Sequence, residues 1–373
     1  MSQKRQGDAI FMAQAIGLAR RAWGDTHPNP MVGAVVVDAG EVVAEGWHSA
    51  AGQAHAEVEA LARLQGELSP DATLYVTLEP CSTCGRTGAC TDAIIASGIG
   101  RVVVGAVDPN PAHAGQGLAI LRDAGIEVVS GVLATQCRDL NLIFNHWIVH
   151  NEPLLAAKMA MTLDGKFAAS SGQSRWVTSK AARDDVMEWR RYFPAIAVGA
   201  NTVIEDNPSL TSRIGETVFC PKRFVFDRQL KTARLEPLPS LYSDAHKSNT
   251  VVLCLQDADE ARKQMLQQHG IEIWSLPAKD GHLDWAAFRQ RCAEEGIAGV
   301  YIETGPKLAT ALIESRKVDY LFIYKAAKFI ADSAAVGIGS DRQTASMNEA
   351  FVLQDVQHEI FGQDVLTRGR LAE

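Results

Sequence analysis

The sequence lacks any run of 18 or more apolar residues, so no membrane-spanning helix is expected. Basic residues are also in deficit, since 36 Lys and Arg stand against 44 Asp and Glu. The resulting net charge of −8 argues against a nucleic-acid-binding protein, which usually carries a basic domain or stripe. The N-terminal segment "MSQKRQGDAIFMAQAIGLARRAWG" lacks the long apolar core of a signal peptide and predicts an amphipathic helix.

Cysteine is scarce and unevenly placed. Four of the seven cysteines lie scattered through apolar segments, at Cys137, Cys220, Cys254 and Cys292. An odd count without a secretion signal suggests reduced thiols, so we expect a cytoplasmic protein. From the acidic charge and the missing apolar run we expect neither a nucleic-acid nor a membrane partner. The remaining three cysteines fall together in "CSTCGRTGAC", residues 81–90, and require another explanation.

Repeats of fixed period and low-complexity tracts are absent, and the chain instead alternates strand-like and helix-like segments. In residues 1–150, apolar runs such as "MVGAVVV" and "RVVVGAV" alternate with helical patterns, which predicts an α/β layer with a mostly parallel sheet. A second alternating series follows Pro153 and ends in a strand, a turn and another strand. The length of 373 residues and this restart predict two domains, 1–150 and 151–373.

A cluster of metal-binding residue types lies in the first domain. His55 and Glu57 form an H-x-E motif at the start of a predicted helix, upstream of the cysteines. Three nitrogen and sulfur ligands suit a catalytic zinc, because the fourth position stays open for water. A nearby carboxylate that is not a ligand can then move protons. The motif with P-C-x-x-C is typical of zinc nucleobase deaminases, but Cys84 and Cys90 both remain candidates for the second cysteine ligand.

Four longer segments carry a resemblance to a known family: "HPNPMVGAVVV", "GWHSAAGQAHAE", "YVTLEPCSTCGRTGACTDAII" and "VDPNPAHAGQGLAILRDAGIEV". They closely resemble the bifunctional deaminase/reductase of riboflavin biosynthesis, and the resemblance covers essentially the whole chain. It implies an α/β protein with an N-terminal cytidine-deaminase-like three-layer domain followed by a dihydrofolate-reductase-like domain. It also implies zinc bound by His55, Cys81 and Cys90, with Glu57 as the catalytic residue. Cys90 in addition opens a predicted helix, whose dipole favours a thiolate.

The resemblance implies that the first domain deaminates a diaminopyrimidinone carrying a ribosylamino 5′-phosphate. The substrate contacts carried over from the family are Asn29, His48, Arg86, Asp108 and Asn110. Arg86 suits a phosphate, because a guanidinium can bind it with paired hydrogen bonds. Plain turn chemistry is the alternative explanation for the "PNP" and "DPNP" motifs. Thr83 is a departure, because the family commonly has a substrate-binding His at that position.

The second domain lacks a G-x-G-x-x-G after a strand, so the dinucleotide fingerprint of the Rossmann fold is missing. The segments "KMAMTLDGKFA", "GANTVIEDNPSLTSR" and "YIETGPKLATAL" nevertheless resemble the family's reductase half, which binds NADPH without those glycines. In the last segment Gly305 precedes a helix predicted to begin near Pro306, and free N–H groups at a helix start attract phosphate. Taken alone, the same pattern also fits a tight strand-to-helix turn.

The resemblance implies two sets of contacts in the reductase domain. The cofactor contacts are Ala160, Trp176, Thr202, Asp206, Arg228, Gly305, Pro306, Lys307, Leu308, Ala309, Thr310 and Ala311. The substrate contacts are Ser174, Arg190, Leu210, Arg213 and Glu303. Arg228 stands where the family usually has a small polar residue and could pair with the cofactor's 2′-phosphate. The implied reaction is hydride transfer to the ribose C1′, with Asp206 and Glu303 as the nearest candidate acids.

Two other functions remain open from the sequence. A zinc deaminase acting on transfer RNA or a free nucleoside is favoured by Cys84 and opposed by the acidic charge and the full-length resemblance. A non-enzymatic zinc scaffold would need neither Glu57 nor an open coordination position. A homo-oligomer is an expectation from the resemblance only.

Overall fold

The computed structural model describes residues 3–83, 88–279, 281–339 and 343–372. Packing divides the chain into two compact units, Met1–Asn151 and Glu152–Glu373, one residue beyond the predicted boundary. Two residues named above, Cys84 and Arg86, lie outside the described residues. Among the residues that are described, every helix falls short of the length or apolar character that a membrane span requires.

The first unit is a five-stranded sheet with helices packed on it. Its strands are β1 (Gly33–Asp38), β2 (Glu41–Trp47), β3 (Thr73–Leu78), β4 (Arg101–Ala106) and β5 (Glu127–Ser130). Its helices are α1 (Gln3–Ala19), α2 (Ala56–Ala62), α3 (Cys90–Ala96), α4 (Gln116–Asp123), α5 (Ala134–Asp139) and α6 (Leu142–His150). The strand order is β2-β1-β3-β4-β5.

The sheet of the first unit is mixed, because one strand, β1, runs opposite to the other four. Strands β3, β4 and β5 are parallel, but β1 is antiparallel to both of its neighbours. The cause is a hairpin between β1 and β2, whose two-residue turn places Ala39 at φ 49 and Gly40 at φ 85. Positive φ at both turn residues matches the twist of the flanking strands. This added reversal sends β3 in the direction opposite to β1.

Glycines in the strands show that helices cover both faces of this sheet. A Cβ at Gly33 would collide with the backbone of Ala15 and Ala19 in α1, and a Cβ at Gly46 would collide with the backbone of α2. Gly46 pairs with Ala34, the neighbour of Gly33, so the two glycines face opposite sides. Helices α1 and α2 therefore lie on opposite faces, and the predicted three-layer organisation is confirmed.

The second unit is built on a nine-stranded sheet. The strands of this sheet are β6 (Leu154–Thr162), β8 (Ala195–Gly199), β11 (Lys222–Phe226), β12 (Thr250–Leu255), β13 (Glu272–Leu276), β16 (Gly299–Glu303), β17 (Tyr320–Ala326), β19 (Leu353–Phe361) and β20 (Asp364–Leu371). Short ribbons add β7 (Lys166–Ala168) with β18 (Val336–Gly337), β9 (Ser212–Ile214) with β10 (Thr217–Phe219), and β14 (Ala278–Lys279) with β15 (His282–Leu283). The helices are α7 (Lys180–Tyr192), α8 (Ala200–Asp206), α9 (Glu260–Gln268), α10 (Trp285–Glu294) and α11 (Pro306–Glu314).

The strand order of this sheet is β13-β12-β11-β8-β16-β6-β17-β20-β19. Strands from β13 to β17 are parallel, and the C-terminal pair is the antiparallel hairpin expected from the sequence. Alternate residues of β8 enter two separate cores: Ala195 and Ala197 pack on one face, and Ile196 and Val198 on the other. Because strands buried on both faces need cover on each side, this unit is also three-layered.

Candidate active sites

The three candidate metal ligands of the first unit come from two helix starts and one strand end. His55 is the N-cap residue of α2, and Cys90 is the first residue of α3. Cys81 lies just beyond β3, and its carbonyl and sulfur accept hydrogen bonds from the N–H groups of Thr91 and Cys90, at 3.2 and 3.4 Å. The chain around Cys81 is thereby attached to the start of α3, which brings the two cysteines together.

The geometry of this cluster fits a zinc ion. His55 Nδ1 lies 3.2 Å from Cys90 Sγ and 3.5 Å from Cys81 Sγ, and the three ligand atoms lie within 4.8 Å of one another. A tetrahedral zinc separates its nitrogen and sulfur ligand atoms by roughly 3.5 Å. A hydrogen bond from the Cys90 thiol lowers the pKa of Cys81 to about 4, so one thiolate is already favoured in this arrangement.

Glu57 is the buried carboxyl group beside the metal ligands. It lies in the first turn of α2, two residues after His55, and its side chain is only 3% exposed. Burial raises the pKa of Glu57 to about 7, with a further contribution from Cys81. A carboxyl group with that pKa can both take up and release a proton near neutral pH.

The structure also joins two predicted substrate residues to the metal site. Asn29 Nδ2 lies 3.2 Å from His48 Nε2, and His48 Nδ1 lies 3.0 Å from the carbonyl oxygen of Ala54. The carbonyl can only accept, so the assigned tautomer has Nδ1 donating and Nε2 accepting from the Asn29 amide. The His48 ring meets the His55 ring edge-on, at a centroid distance of 5.6 Å.

The loop that contains Asn29 is held by Asn141, a residue that the sequence analysis missed. Asn141 is 3% exposed; its Oδ1 accepts from Met31 N at 2.7 Å, and its Nδ2 donates to Met31 O at 2.9 Å. The sequence pattern of residues 132–150 predicts one continuous helix, in which Asn141 carries no signal of its own. Its importance depends on a partner far away in the chain.

Asp108 and Asn110, the other predicted substrate residues, lie in the loop between β4 and α4. Asp108 Oδ1 accepts from Asn110 N at 2.8 Å, and Asn110 Oδ1 accepts from Ala112 N at 3.0 Å. Burial raises the pKa of Asp108, and Cys81 is near enough to contribute to the same shift. The loop is therefore close to the metal ligands. Arg86, predicted to bind the phosphate, lies outside the described residues.

A cavity of about 540 Å³ opens in the second unit. It lies where the carboxyl ends of β8, β11 and β16 meet the starts of α8 and α11, a usual ligand position in parallel sheets. Seven of the predicted cofactor residues line it: Thr202, Arg228, Gly305, Pro306, Lys307, Leu308 and Ala311. Gly305 is the N-cap of α11 and Pro306 its first residue, as the sequence predicted.

Five predicted cofactor residues do not line this cavity. They are Ala160, Trp176, Asp206, Ala309 and Thr310. Ala309 is fully buried in the apolar core, because it lies on the inner face of α11. Trp176 is 63% exposed, with the Arg183 guanidinium 4.3 Å from its ring centroid, and Asp206 forms an ion pair with Arg175. Cofactor contacts from these residues remain predictions.

Two predicted substrate residues bond to each other instead of standing free. Arg190 Nε and Nη2 donate to the two carboxylate oxygens of Glu303, at 2.7 and 3.0 Å, while Nη1 donates to Thr211 O at 2.8 Å. Arg190 is 9% exposed, so it does not lie on a solvated helix face. Among the remaining predictions, Leu210 is buried, whereas Ser174 and Arg213 are exposed.

Lys158, on β6, is a second residue that sequence reasoning missed. Burial lowers its pKa, while the Glu303 carboxylate opposes that effect and the Arg190 guanidinium adds to it. Burial alone would raise the pKa of Glu303, but Arg190 and Lys158 together lower it overall. The result is a partly buried group of two cations and one anion. A single Lys in an apolar strand was the only available signal.

Comparisons with known proteins agree with this division into two sites. Residues 5–106 match the family model described as cytidine and deoxycytidylate deaminase zinc-binding region, and residues 153–367 match the RibD C-terminal domain. A riboflavin biosynthesis protein RibD of Aquifex aeolicus is 38% identical over 362 residues, covering 97% of this chain and 98% of that protein. The RibD protein of Escherichia coli is 38% identical over 334 residues, covering 88% and 89%.

Solved structures match over the full length. A RibD structure from Acinetobacter baumannii has a TM-score of 0.77 at 34% identity, covering 99% of this chain and all of that one. A diaminohydroxyphosphoribosylaminopyrimidine deaminase/5-amino-6-(5-phosphoribosylamino)uracil reductase from Thermotoga maritima has a TM-score of 0.80 at 32% identity, with the same coverage.

The two units thus form a bifunctional enzyme in which a zinc-binding deaminase domain precedes a reductase domain. The chain belongs to the RibD family of riboflavin biosynthesis. The predicted fold class, a cytidine-deaminase-like domain followed by a dihydrofolate-reductase-like domain, is confirmed.

Proposed function

We propose that the chain carries out two successive reactions, one in each unit. The first unit deaminates 2,5-diamino-6-(5-phosphoribosylamino)pyrimidin-4-one by hydrolysis. The second unit reduces the ribosyl side chain of the product with NADPH, giving 5-amino-6-(5-phosphoribitylamino)uracil. The observation that carries the proposal is the convergence of His55, Cys81 and Cys90 beside the buried carboxyl group of Glu57.

In the first unit, His55, Cys81 and Cys90 would hold zinc and leave one coordination position open. When bound, zinc lowers the pKa of a coordinated water and so supplies a nucleophile near neutral pH. Glu57 would take a proton from the attacking water and return it to the departing amine nitrogen, a role that its pKa of about 7 supports. We assign substrate contacts to Asn29 and His48, and also to Arg86, Asp108 and Asn110.

In the second unit, NADPH would occupy the cavity at the carboxyl ends of the parallel strands. Its phosphates would lie at the start of α11, at Gly305–Ala311, because the first N–H groups of a helix have no partner within it. When bound, NADPH supplies the hydride for the ribose C1′. We assign further cofactor contacts to Ala160, Trp176, Thr202, Asp206 and Arg228.

The reduction also needs a proton, because opening of the ribose ring leaves a negative oxygen. Glu303 is a poor donor, since its cationic neighbours lower its pKa, and Asp206 is paired with Arg175. We assign the role to Lys158, whose pKa is lowered by burial and which can therefore release a proton more easily than an exposed lysine. The substrate contacts would come from Ser174, Arg190, Leu210, Arg213 and Glu303.

We further propose a cytoplasmic enzyme that acts on a small molecule, without a nucleic-acid or membrane partner, and that assembles as a homo-oligomer. The net charge of −8 supports the exclusion of nucleic acid. The cysteines among the described residues are free thiols, which supports a reducing compartment.

Substrate choice separates this proposal from its alternatives. Ammonia release by the zinc-loaded enzyme would be measured with the pyrimidine phosphate, with cytidine and with transfer RNA, and NADPH consumption would be followed in parallel. We expect ammonia from the pyrimidine phosphate alone, followed by NADPH consumption. Ammonia from cytidine or transfer RNA, but not from the pyrimidine phosphate, would replace the proposal with a different deaminase. Zinc binding without ammonia from any of them would favour a scaffold.

A further inference from the structure

Glu79 is a buried carboxylate whose partners, among the described residues, are backbone N–H groups. It follows β3, two residues before Cys81, and is 6% exposed. Its Oε2 accepts from Asp108 N at 3.1 Å and from Gly115 N at 3.0 Å. Its Oε1 accepts from Gly117 N at 2.9 Å and from Leu118 N at 3.4 Å.

These four bonds join both ends of one loop to a single side chain. Asp108 stands at the beginning of the loop between β4 and α4, and Gly115 is the N-cap of α4. Gly115 has no side chain to cap the helix, so the Glu79 carboxylate caps α4 from another part of the chain. Its negative charge also lies at the positive end of the helix dipole.

The close approach of α4 depends on a second residue. A Cβ at Gly117 would collide with the carbonyl oxygen of Pro80 and would lie 3.3 Å from Glu79 Oε1. The glycine therefore permits α4 to rest directly on the Glu79–Pro80 segment. The bonds within the loop, from Asp108 to Asn110 and from Asn110 to Ala112, shape the turn but do not attach it to β3.

We propose that Glu79 is a positioning residue for deamination, because it fixes the loop of Asp108 and Asn110 relative to the segment that supplies Cys81. The segment of residues 79–81 thus supplies one metal ligand, Cys81, and also holds the substrate-binding loop through the carboxylate of Glu79. The inference rests on the proposed substrate contacts of Asp108 and Asn110 in the first unit.

The carboxylate is needed because both of its oxygens accept. A glutamine at this position has the same shape but only one accepting oxygen, and its NH₂ group would face two backbone N–H donors. One pair of N–H groups would lose its partner, and the loop would separate from β3 on that side. The metal ligands would be unaffected, because none of the four bonds involves His55, Cys81 or Cys90.

The test compares Glu79→Gln with Glu67→Gln, a control that changes an exposed carboxylate in the same unit. Four quantities would be measured in each variant: zinc content, backbone amide exchange by mass spectrometry, kcat and KM for deamination, and reduction of supplied intermediate. For Glu79→Gln we expect faster exchange in residues 107–118 and unchanged zinc content. We expect kcat/KM for deamination to fall by roughly 10- to 100-fold, mainly through KM, because a misplaced binding group loses substrate alignment. Reduction should remain at the parent rate, and Glu67→Gln should match the parent throughout.

Gly117→Ala should also displace α4 and its preceding loop from the Glu79–Pro80 segment, while the carboxylate stays in place. If Glu79→Gln does not fold, this second variant tests the role of Glu79. It should reproduce the faster exchange and the higher KM. Loss of zinc from Glu79→Gln, or a KM unchanged in both variants, would overturn the inference. The exchange measurement needs no substrate, so a parent enzyme that releases no ammonia would disprove the proposed function, while exchange in residues 107–118 would still decide whether Glu79 fixes the loop.

Discussion

The zinc site and the cofactor cavity are both built at the starts of helices, but they present different atoms. In the first unit, His55 and Cys90 offer side-chain nitrogen and sulfur at the starts of α2 and α3. In the second unit, the start of α11 offers backbone N–H groups behind Gly305. A side-chain site requires particular residue types at particular positions, whereas a backbone site can be formed by many sequences. The zinc site is therefore sensitive to the replacement of a single ligand atom, whereas the cofactor site is sensitive to side chains that block access to the backbone.

The largest effect that would test this comparison is loss of the metal. We expect Cys90→Ser to abolish zinc binding and deamination, because one of the three protein ligands is removed. Cys84→Ser is the matched control and should keep about one zinc per chain. Metal analysis of both purified variants is the measurement. Zinc retained by Cys90→Ser and lost from Cys84→Ser would reverse the ligand assignment.

The next largest effect is a loss of catalysis while zinc stays bound. Glu57→Gln should keep its zinc but lower the rate of deamination by about 10²- to 10⁴-fold, because the amide cannot carry the proton. Reduction of supplied intermediate should be unchanged, since the two sites lie in separate units and share no residues. Ammonia release and NADPH consumption would be measured side by side. If NADPH consumption were also lost in a folded variant, the two sites would not be independent.

A smaller effect is expected at the cofactor site, where NADPH must reach the backbone N–H groups at the start of α11. Gly305→Leu should weaken NADPH binding by about tenfold, equivalent to ~1.4 kcal/mol, because a side chain would enter the space in front of the helix start. A Cβ at Gly305 meets no atom within 4 Å, so the variant should fold normally. Calorimetric titration with NADPH is the measurement, and zinc content and deamination should stay at parent levels. Unchanged affinity would remove the start of α11 from the cofactor site.

The smallest expected effect is on stability. Asn141→Ala should lower the free energy of unfolding of the first unit by about 1–3 kcal/mol, because the buried N–H and C=O of Met31 lose their partners. The nearby Asn145→Ala, which removes a more exposed hydrogen bond to Arg138, is the control and should change it by less than about 0.5 kcal/mol. Denaturant unfolding measures both. Equal changes would show that Asn141 has no special role in holding its loop.

The members of the zinc site could be predicted from the sequence because each is identified by its residue type and spacing. Strand β2 was missed because the sequence reading looked for apolar runs, whereas the first three residues of this strand are exposed and its pattern is mixed. Lys158, Glu79 and Asn141 were missed for a different reason. Each acts on groups that are distant in sequence, and a single chain does not show which distant residues meet.

The Arg190–Glu303 pair was predicted as two separate substrate contacts, and its internal bonding appears only in three dimensions. Ala309 was assigned to the cofactor as part of a continuous segment, whereas a helix turns one residue in three or four toward the core. In both cases the position in the sequence indicated the right region of the domain, but the sequence did not show in which direction the side chain points.

Gly46 links the architecture of the sheet to the depth of the metal site. Helix α2 rests on this glycine, His55 is the N-cap of the same helix, and Glu57 lies in its first turn. One added methyl group at Gly46 would push the helix outward and carry both residues with it, without altering either of them. The distance between β2 and α2 thus determines the position of His55 and Glu57 in the zinc site. Metal affinity in this fold could be adjusted from a strand whose side chains never touch the ion.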